Sequence, residues 1–161
     1  MSSVAQPELT VEIIDFDKRY AKDFARLNYE WLEQYFEVEP HDREMLDAPY
    51  EYIIKAGEQI FFAKYNHEIV GTAALIAEDD DTFELAKMGV SPKYHGLKIG
   101  KRLMLYSIEK AREAGKKQLV LESNTKLTAA INLYITSGFK AAPLSACSPY
   151  ARCDIRMSLK L

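Results

Sequence analysis

A short glycine-containing stretch is the part of the sequence best suited to bind a ligand. It reads HGLKIGKR, residues 95–102, and places Gly96 and Gly100 four residues apart among Lys and Arg side chains. Glycine lacks a Cβ, so the backbone there can turn sharply and approach a ligand closely. An apolar periodic run follows at once, and the first turn of a helix offers unpaired N–H groups with a partial positive charge. The stretch therefore predicts a loop that binds phosphate oxygens, with added charge from Lys98, Lys101 and Arg102.

Two familiar phosphate-binding patterns do not fit this loop. A P-loop requires GxxxxGK followed by Ser or Thr, whereas three residues separate the glycines here and Arg102 follows Lys101. The dinucleotide pattern GxGxxG is absent as well. The loop alone leaves two interpretations open, which are a phosphate site and a tight turn from a strand into a helix.

A third glycine lies just before the loop, inside the β-rich run TFELAKMGV at 82–90. A glycine within a strand commonly marks a bulge or a place where another backbone-like group comes close. The main-chain groups of Met88, Gly89 and Val90 can therefore bind an extended ligand that contains amides. Because the glycine loop follows a few residues later, one molecule can lie along the strand end and place its phosphates on the loop.

The elements that must position these residues are strands and helices in mixed order. Apolar alternation or continuous apolar runs predict strands at 10–15, 59–65, 68–77, 82–90 and 117–123, then two strands in FKAAPL and YARCDIRMSLKL. Three- and four-residue periodicity predicts a helix after Asp17, one in DREMLDAPYEYIIKAG ending at Gly57, one from Ile99 to Gly115 and one at 126–138. This order predicts an α/β (α+β) fold with a mixed sheet and helices on both faces.

The first predicted helix carries an aromatic stripe formed by Tyr20, Phe24, Trp31 and Tyr35. Periodic apolar residues usually pack on a core, but the same stripe can line a substrate cleft. The acidic run EDDD at 78–81 is first a solvated turn between strands.

Length and composition predict one domain over residues 1–161 and exclude several partners. A formal charge of -3 and a pI near 5.7 provide no general attraction to nucleic acid or to an anionic membrane. The two cysteines, Cys147 and Cys153, and the three histidines show no metal-binding spacing. The sequence shows neither a secretion signal nor an apolar run of about 18 residues, so we expect a cytoplasmic protein.

Four motifs in one order resemble the GNAT superfamily of acetyl-CoA-dependent N-acetyltransferases. YHGLKIG at 94–100 is similar to the family loop [RQ]-x-x-G-x-[GA], with His95 in place of Arg or Gln and Lys98 in place of the middle glycine. ELAKMGVSP lies upstream, and LVLESN, AAINLY and SGF lie downstream. The resemblance covers most of residues 58–140 and implies a mostly antiparallel sheet of about seven strands.

The resemblance also implies site residues. It implies that acetyl-CoA binds to a strand edge, to the glycine loop and to a later helix. The residues are Met88, Gly89, Val90, His95, Gly96, Leu97, Lys98, Ile99, Gly100, Lys101, Asn124, Ala130 and Tyr134. Asn124 stands in for an Asn that many members have at the position of Leu127. Tyr134 of the LY pair is placed beside the sulfur, where a phenol can protonate or hydrogen-bond the departing thiolate.

An amine acceptor must lose a proton before it attacks a thioester, because an alkylammonium has a pKa near ~10.4. Glu84, in the strand that leads to the cofactor, is the candidate base, directly or through water. The alternative is an exposed strand glutamate that points away from the site.

The resemblance predicts direct acetyl transfer to a primary amine of a small molecule or peptide, with no metal and no acyl-enzyme. Two alternatives stay open: a larger acyl group on the same carrier, and a cofactor-binding regulatory module without catalysis. Family likeness also suggests a homodimer. The acceptor is not specified, although an acidic cleft near Asp79–Asp81 would attract cationic amines.

Overall fold

Seven strands form one sheet in the order β1-β2-β3-β4-β5-β7-β6. A computed structural model describes residues 10–94, 96–144 and 150–161 of the chain. The strands are β1 Glu12–Asp15, β2 Gln59–Tyr65, β3 Glu68–Asp79, β4 Thr82–Val90, β5 Gln118–Ser123, β6 Lys140–Ala142 and β7 Ile155–Lys160. Neighbouring strands are antiparallel except for β4 and β5, which are parallel. The predicted mixed, mostly antiparallel sheet is confirmed.

In the part of the chain that the structure describes, four α-helices cover the two faces of this sheet. They are α1 Ala21–Tyr35, α2 Pro40–Asp47, α3 Ile99–Glu113 and α4 Thr128–Thr136. On one face α3 contributes Leu103 and Met104 to a core that includes Phe61 and Leu121. On the other face α1 and α2 pack over a second core around Phe62. The two cores lie on opposite faces because side chains alternate along each strand.

A two-residue turn joins β2 and β3, in the gap between the strands predicted at 59–65 and 68–77. Asn66 and His67 both have positive φ, 49° and 64°. Two positive φ angles in a two-residue loop match the right-handed twist of the flanking strands, and Asn tolerates this conformation well.

The second predicted helix is wrong as a single element. Its sequence forms α2 and then a separate π-helical turn at Tyr50–Ile54. Pro49 lies at the break, where a proline within a helix has no N–H to donate and crowds the preceding turn. The helix α2 instead begins with Pro40 in its first turn and a capping box, in which the Glu39 side chain accepts from the helix backbone and Asp42 accepts from the Glu39 N–H.

The aromatic stripe of α1 divides between the two interpretations. Phe24 and Leu27 are fully buried in the core beneath the helix. Trp31 and Tyr35, at the carboxyl end of the helix, line a cavity together with Phe36. The stripe therefore packs on the sheet at the start of the helix and lines the cavity at the end of the helix.

Candidate functional site

The parallel strands β4 and β5 separate partway along their length. Their pairing runs from Thr82 opposite Gln118 to Glu84 opposite Val120. Beyond Glu84 no further β4–β5 pair forms within the described ranges, although β4 continues to Val90 and β5 continues to Ser123. The separation leaves backbone groups of both strands directed into a wedge-shaped opening, where an extended ligand can bond to them.

A bulge in β4 lies beside this opening. The register of β4 against β3 shifts between Ala86, opposite Ala74, and Gly89, opposite Thr72. Lys87 lies within the shift and has a positive φ of 52°. The sequence left two interpretations of Gly89 open, a bulge and a close approach of another backbone group. The register shift does end at Gly89, but the residue in the left-handed conformation is Lys87. A lysine in this region costs free energy that the surrounding contacts must offset.

Gly89 is needed for a different reason. A Cβ at this position would lie 2.8 Å from the Leu27 carbonyl oxygen and 3.2 Å from Cδ1 of Trp31. Real Cβ atoms do not approach a backbone oxygen this closely, so the glycine lets α1 lie directly against β4. The close packing brings Trp31 to the edge of the opening.

A cavity of about 380 Å³ occupies the opening. Its lining includes Glu84, the strand segment 85–90, Glu122 to Asn124, Lys126 to Ala130, Tyr134, Tyr150, Arg152 and Cys153, with Trp31, Tyr35 and Phe36 from the other side. Seven of the predicted site residues therefore line one cavity: Glu84, Met88, Gly89, Val90, Asn124, Ala130 and Tyr134. Trp31 and Tyr35 of α1 lie where the cleft-lining interpretation of the aromatic stripe placed them, whereas the residues of 150–153 were not predicted, because that segment carries no recognisable motif.

Glu84 lies on the floor of the cavity and is only partly accessible to solvent. Burial raises the pKa of its carboxyl from 4.5 to about 7, helped by the charges of Glu122 and Glu78 and opposed by Lys87 and Arg156. It is therefore not the exposed strand residue of the alternative interpretation. A carboxyl with a pKa near 7 can exchange a proton at neutral pH.

Tyr134 of α4 also lines the cavity. Its ring packs edge-on against Phe139 with centroids 6.1 Å apart. Burial raises the pKa of its phenol to about 12, and a hydrogen bond with the Ser123 side chain opposes the shift. The phenol therefore remains protonated across the physiological range and can donate a hydrogen bond into the cavity.

The glycine loop leads into α3 next to the cavity. Gly96 has a φ of 94° and Lys98 a φ of 57°, and α3 begins at Ile99 with no side chain capping it and no acidic residue in its first turn. The side chain of Ile99 is buried in the core, so only its main chain can meet a ligand. Leu97, Lys98 and Lys101 are exposed, while His95 lies outside the described residues. An ideal Cβ on Gly100 would lie 3.9 Å from Cε of Met88, which places this end of the loop beside the cavity lining.

The side chain of Asn124 is engaged within the protein. Its Nδ2 donates to the Arg152 carbonyl at 2.8 Å, and its Oδ1 accepts from the Lys126 N–H at 2.9 Å. These bonds hold the β5–α4 loop against the segment before β7. The geometry thus favours a structural role for Asn124 over the predicted polar contact with a ligand.

A buried ion cluster adjoins the cavity, and the sequence did not predict it. Asp42 of α2 is fully buried and accepts from both Arg152 terminal nitrogens, at 2.8 and 2.7 Å, and from Lys87 Nζ at 3.0 Å. Burial opposes ionisation of Asp42, but Arg152, the Glu39 N–H and Lys87 outweigh it and lower its pKa to about 2. The cluster ties the bulge in β4 to α2 and to the chain before β7.

The acidic run at 78–81 is largely the predicted solvated turn. The Asp79 carboxylate accepts from the Asp81 N–H at 2.9 Å, and both residues are exposed. Glu78 differs, because it pairs with Arg156 across the sheet at 2.5 and 2.7 Å. Within the described ranges no group of three His, Cys, Asp or Glu residues could hold a metal ion, and no helix is long and apolar enough to span a bilayer.

Comparison with known proteins places this arrangement in a recognised class. A sequence model of the acetyltransferase (GNAT) family matches residues 25–139. The uncharacterized N-acetyltransferase YjgM of Escherichia coli (strain K12) is 33% identical over 120 residues, which is 72% of each chain. An acetyltransferase of the GNAT family from Staphylococcus aureus Mu50 has the same fold, with a TM-score of 0.84 over 94% of this chain and 99% of that one, at 23% identity. YncA of Salmonella typhimurium, solved with its cofactor acetyl-CoA, superposes with a TM-score of 0.73 over 94% of each chain, at 21% identity.

The fold is shared with GNAT acetyltransferases, and the family match and the curated relatives show an acyltransferase. The chain belongs to the acetyltransferase (GNAT) family, whose model matches from Ala25 within α1 to Phe139, just after α4. The resemblance drawn from the sequence motifs is confirmed.

Proposed function

We propose that the protein transfers the acetyl group of acetyl-CoA directly to a primary amine of a small molecule or peptide. The observation that carries this proposal is the cavity between β4 and β5, which is lined by both Glu84 and Tyr134. One side chain is suited to accept a proton near pH 7, and the other stays protonated to donate a hydrogen bond.

The residues present fit acetyl-CoA at two places. The edge of β4 from Met88 to Val90 faces the opening and is not paired with β5, so its main chain can bond to an amide-containing arm. The amino end of α3, with no capping side chain and with Lys101 and Arg102 exposed, suits a diphosphate. The thioester, when bound, supplies the acetyl group.

Glu84 accepts the proton of the acceptor ammonium, directly or through water. Its carboxylate form is the competent one, so a pKa near 7 leaves a large share of the protein ready at neutral pH. The free amine then forms the new N–C bond to the acetyl carbon as the C–S bond breaks. Holding both reactants in one cavity contributes through proximity and orientation.

Tyr134 stabilises the departing thiolate by hydrogen bonding. With a phenol pKa of about 12 against about 8.5 for a typical thiol, full proton transfer from Tyr134 is unfavourable and donation of a hydrogen bond is the favoured role. The attacking nitrogen loses a second proton as the amide forms. Of the two protons that the nitrogen releases, one completes the thiol and the other passes to solvent, so the transfer balances.

The test is consumption of acetyl-CoA, followed as thiol release, with polyamines, amino acids, aminoglycosides and peptides as acceptors. We expect one acceptor class to be turned over by the wild-type protein and not by Glu84→Gln, which keeps the shape of the side chain and removes the base. Calorimetry with acetyl-CoA controls for binding by both proteins. Binding without turnover of any acceptor would support the regulatory alternative, and faster transfer from a longer acyl-CoA would support the larger acyl group.

The cytoplasmic location and the homodimer are further proposals. The first is supported by the low cysteine content of the sequence, and the second by family likeness alone. Sedimentation velocity of the purified chain tests the dimer directly.

A further inference from the structure

Three charged residues of neighbouring strands surround Glu84 on the same face of the sheet. Glu84 lies opposite Val120 in β5, so Glu122, two residues further along, projects from the same face. Glu122 lies opposite Arg156 in β7. On the other side of β4, Glu84 lies opposite Ile76 in β3, and Glu78 follows Ile76 by two residues. The sheet thus sets three carboxylates and one guanidinium in a row beneath the cavity.

Arg156 joins two of these carboxylates. Its Nη1 donates to Oε1 of Glu122 at 3.1 Å, and its Nη2 donates to both oxygens of Glu78, at 2.5 and 2.7 Å. The side chains of Glu122 and Arg156 are 7% and 13% exposed, so water screens them weakly. The row of Glu78, Glu122, Arg156 and Glu84 carries one positive charge against three negative ones when all are ionised.

We propose that Glu122, held by Arg156, is a positioning residue that sets the proton affinity of Glu84 through its charge. The proposal rests on the proposed function, in which Glu84 is the base. Glu122 lines the same cavity as Glu84, and the Arg156 fork fixes where its charge lies. A carboxylate with an ordinary pKa is a weak base at neutral pH. A nearby negative charge raises its pKa and so makes it a better proton acceptor.

The charges around Glu84 act on its pKa in the direction that this proposal requires. After burial, Glu122 and then Glu78 raise the pKa of Glu84, whereas Lys87 and Arg156 lower it. The Nζ of Lys87 forms an ion pair with Oδ1 of Asp42 at 3.0 Å. Other titratable groups that line the cavity are Tyr35 of α1, Lys126 of the β5–α4 loop, Tyr134 of α4, and Tyr150, Arg152 and Cys153 before β7. Arg152 is bound to Asp42 and Glu39, which leaves the carboxylate row as the main source of negative field on Glu84.

The direct test is a carbon-13 NMR titration of the Glu84 side-chain carboxyl in the unliganded protein, assigned by its loss in Glu84→Gln. We expect Glu122→Gln to lower the pKa of Glu84 by about one pH unit and Arg156→Gln to raise it. Arg156→Lys keeps the charge and should restore much of the original value if Arg156→Gln folds poorly. The matched control is Glu109→Gln, which removes an equal charge from α3 on the other face of the sheet.

The pH dependence of kcat/KM is then measured with the acceptor from the acetyl-CoA screen. In Glu122→Gln, the acidic limb of this profile should shift by the same amount as the pKa of Glu84. A purely structural role would lower the rate at every pH without moving that limb. The proposal is overturned if Glu84 titrates alike in the wild type and Glu122→Gln, if its pKa rises in Glu122→Gln, or if Glu109→Gln shifts it equally. Should no acceptor be turned over, the proposed function fails, while the NMR titration still decides whether Glu122 sets the proton affinity of Glu84.

Discussion

Glu84 should lower the stability of the folded protein at the pH where it is useful. Its pKa rises from 4.5 to about 7 on folding, chiefly because burial penalises the carboxylate. A shift of about 2.5 units corresponds to about 3.4 kcal/mol at 1.36 kcal/mol per unit. The sign follows from linkage: a group with a raised pKa in the folded state costs nothing below pH 4.5, and the penalty grows as the pH rises to 7.

The variant Glu84→Gln carries no such penalty, so its advantage over the wild type should depend on pH. We expect the difference in free energy of unfolding between the two proteins to grow by about 2 to 3 kcal/mol from pH 5 to pH 8. Urea unfolding at both pH values, followed by circular dichroism, measures it. Other titrating groups are shared by the two proteins and cancel in the difference.

Glu109→Gln serves as the control, because Glu109 is exposed on α3 and its side chain is 63% accessible. Its difference from the wild type should stay within about 0.5 kcal/mol at both pH values, as for most surface substitutions. A Glu84→Gln difference that is the same at pH 5 and pH 8 would refute the reasoning, since Glu84 would then not be a desolvated carboxylate.

Four further outcomes follow from the same structure. In the wild type, kcat/KM should fall about tenfold per pH unit below pH 7, because protonated Glu84 cannot accept a proton, and a flat profile would count against this base. Asp42→Asn should cost about 3 to 5 kcal/mol in urea unfolding, since it removes the carboxylate that pairs with buried Lys87 and leaves Arg152 with Glu39 alone; a loss below 1 kcal/mol would show that the cluster is dispensable. Gly89→Ala should cost about 1 to 3 kcal/mol by thermal or urea unfolding, because the new Cβ meets the Leu27 carbonyl oxygen, and full stability would mean that α1 moves aside freely. Tyr134→Phe should lower kcat about 100-fold while calorimetry shows retained acetyl-CoA binding, and unchanged turnover would remove Tyr134 from the reaction.

Much of the fold was predictable because its signals are local. The apolar runs in β2 and β3, the alternation in β4 and the three- and four-residue spacing in α1 and α3 arise from neighbouring residues on one element. The second predicted helix is interrupted at Pro49, because a proline breaks a helix even where periodic apolar residues surround it. The glycine loop was found because the lack of a Cβ and a helix start are also properties of a short stretch.

The sequence by itself determined which elements form and where a backbone site for phosphate can lie. Only the tertiary structure decided that β4 and β5 separate after Glu84, that the bulge falls on Lys87, and that the α1 aromatics reach the cavity. It also brought Asp42 to Lys87 and Arg152, which are 45 and 110 residues away along the chain. The physical reason is that burial and charge pairing depend on which distant residues share a low-dielectric space, whereas periodicity depends only on the residues next to one another.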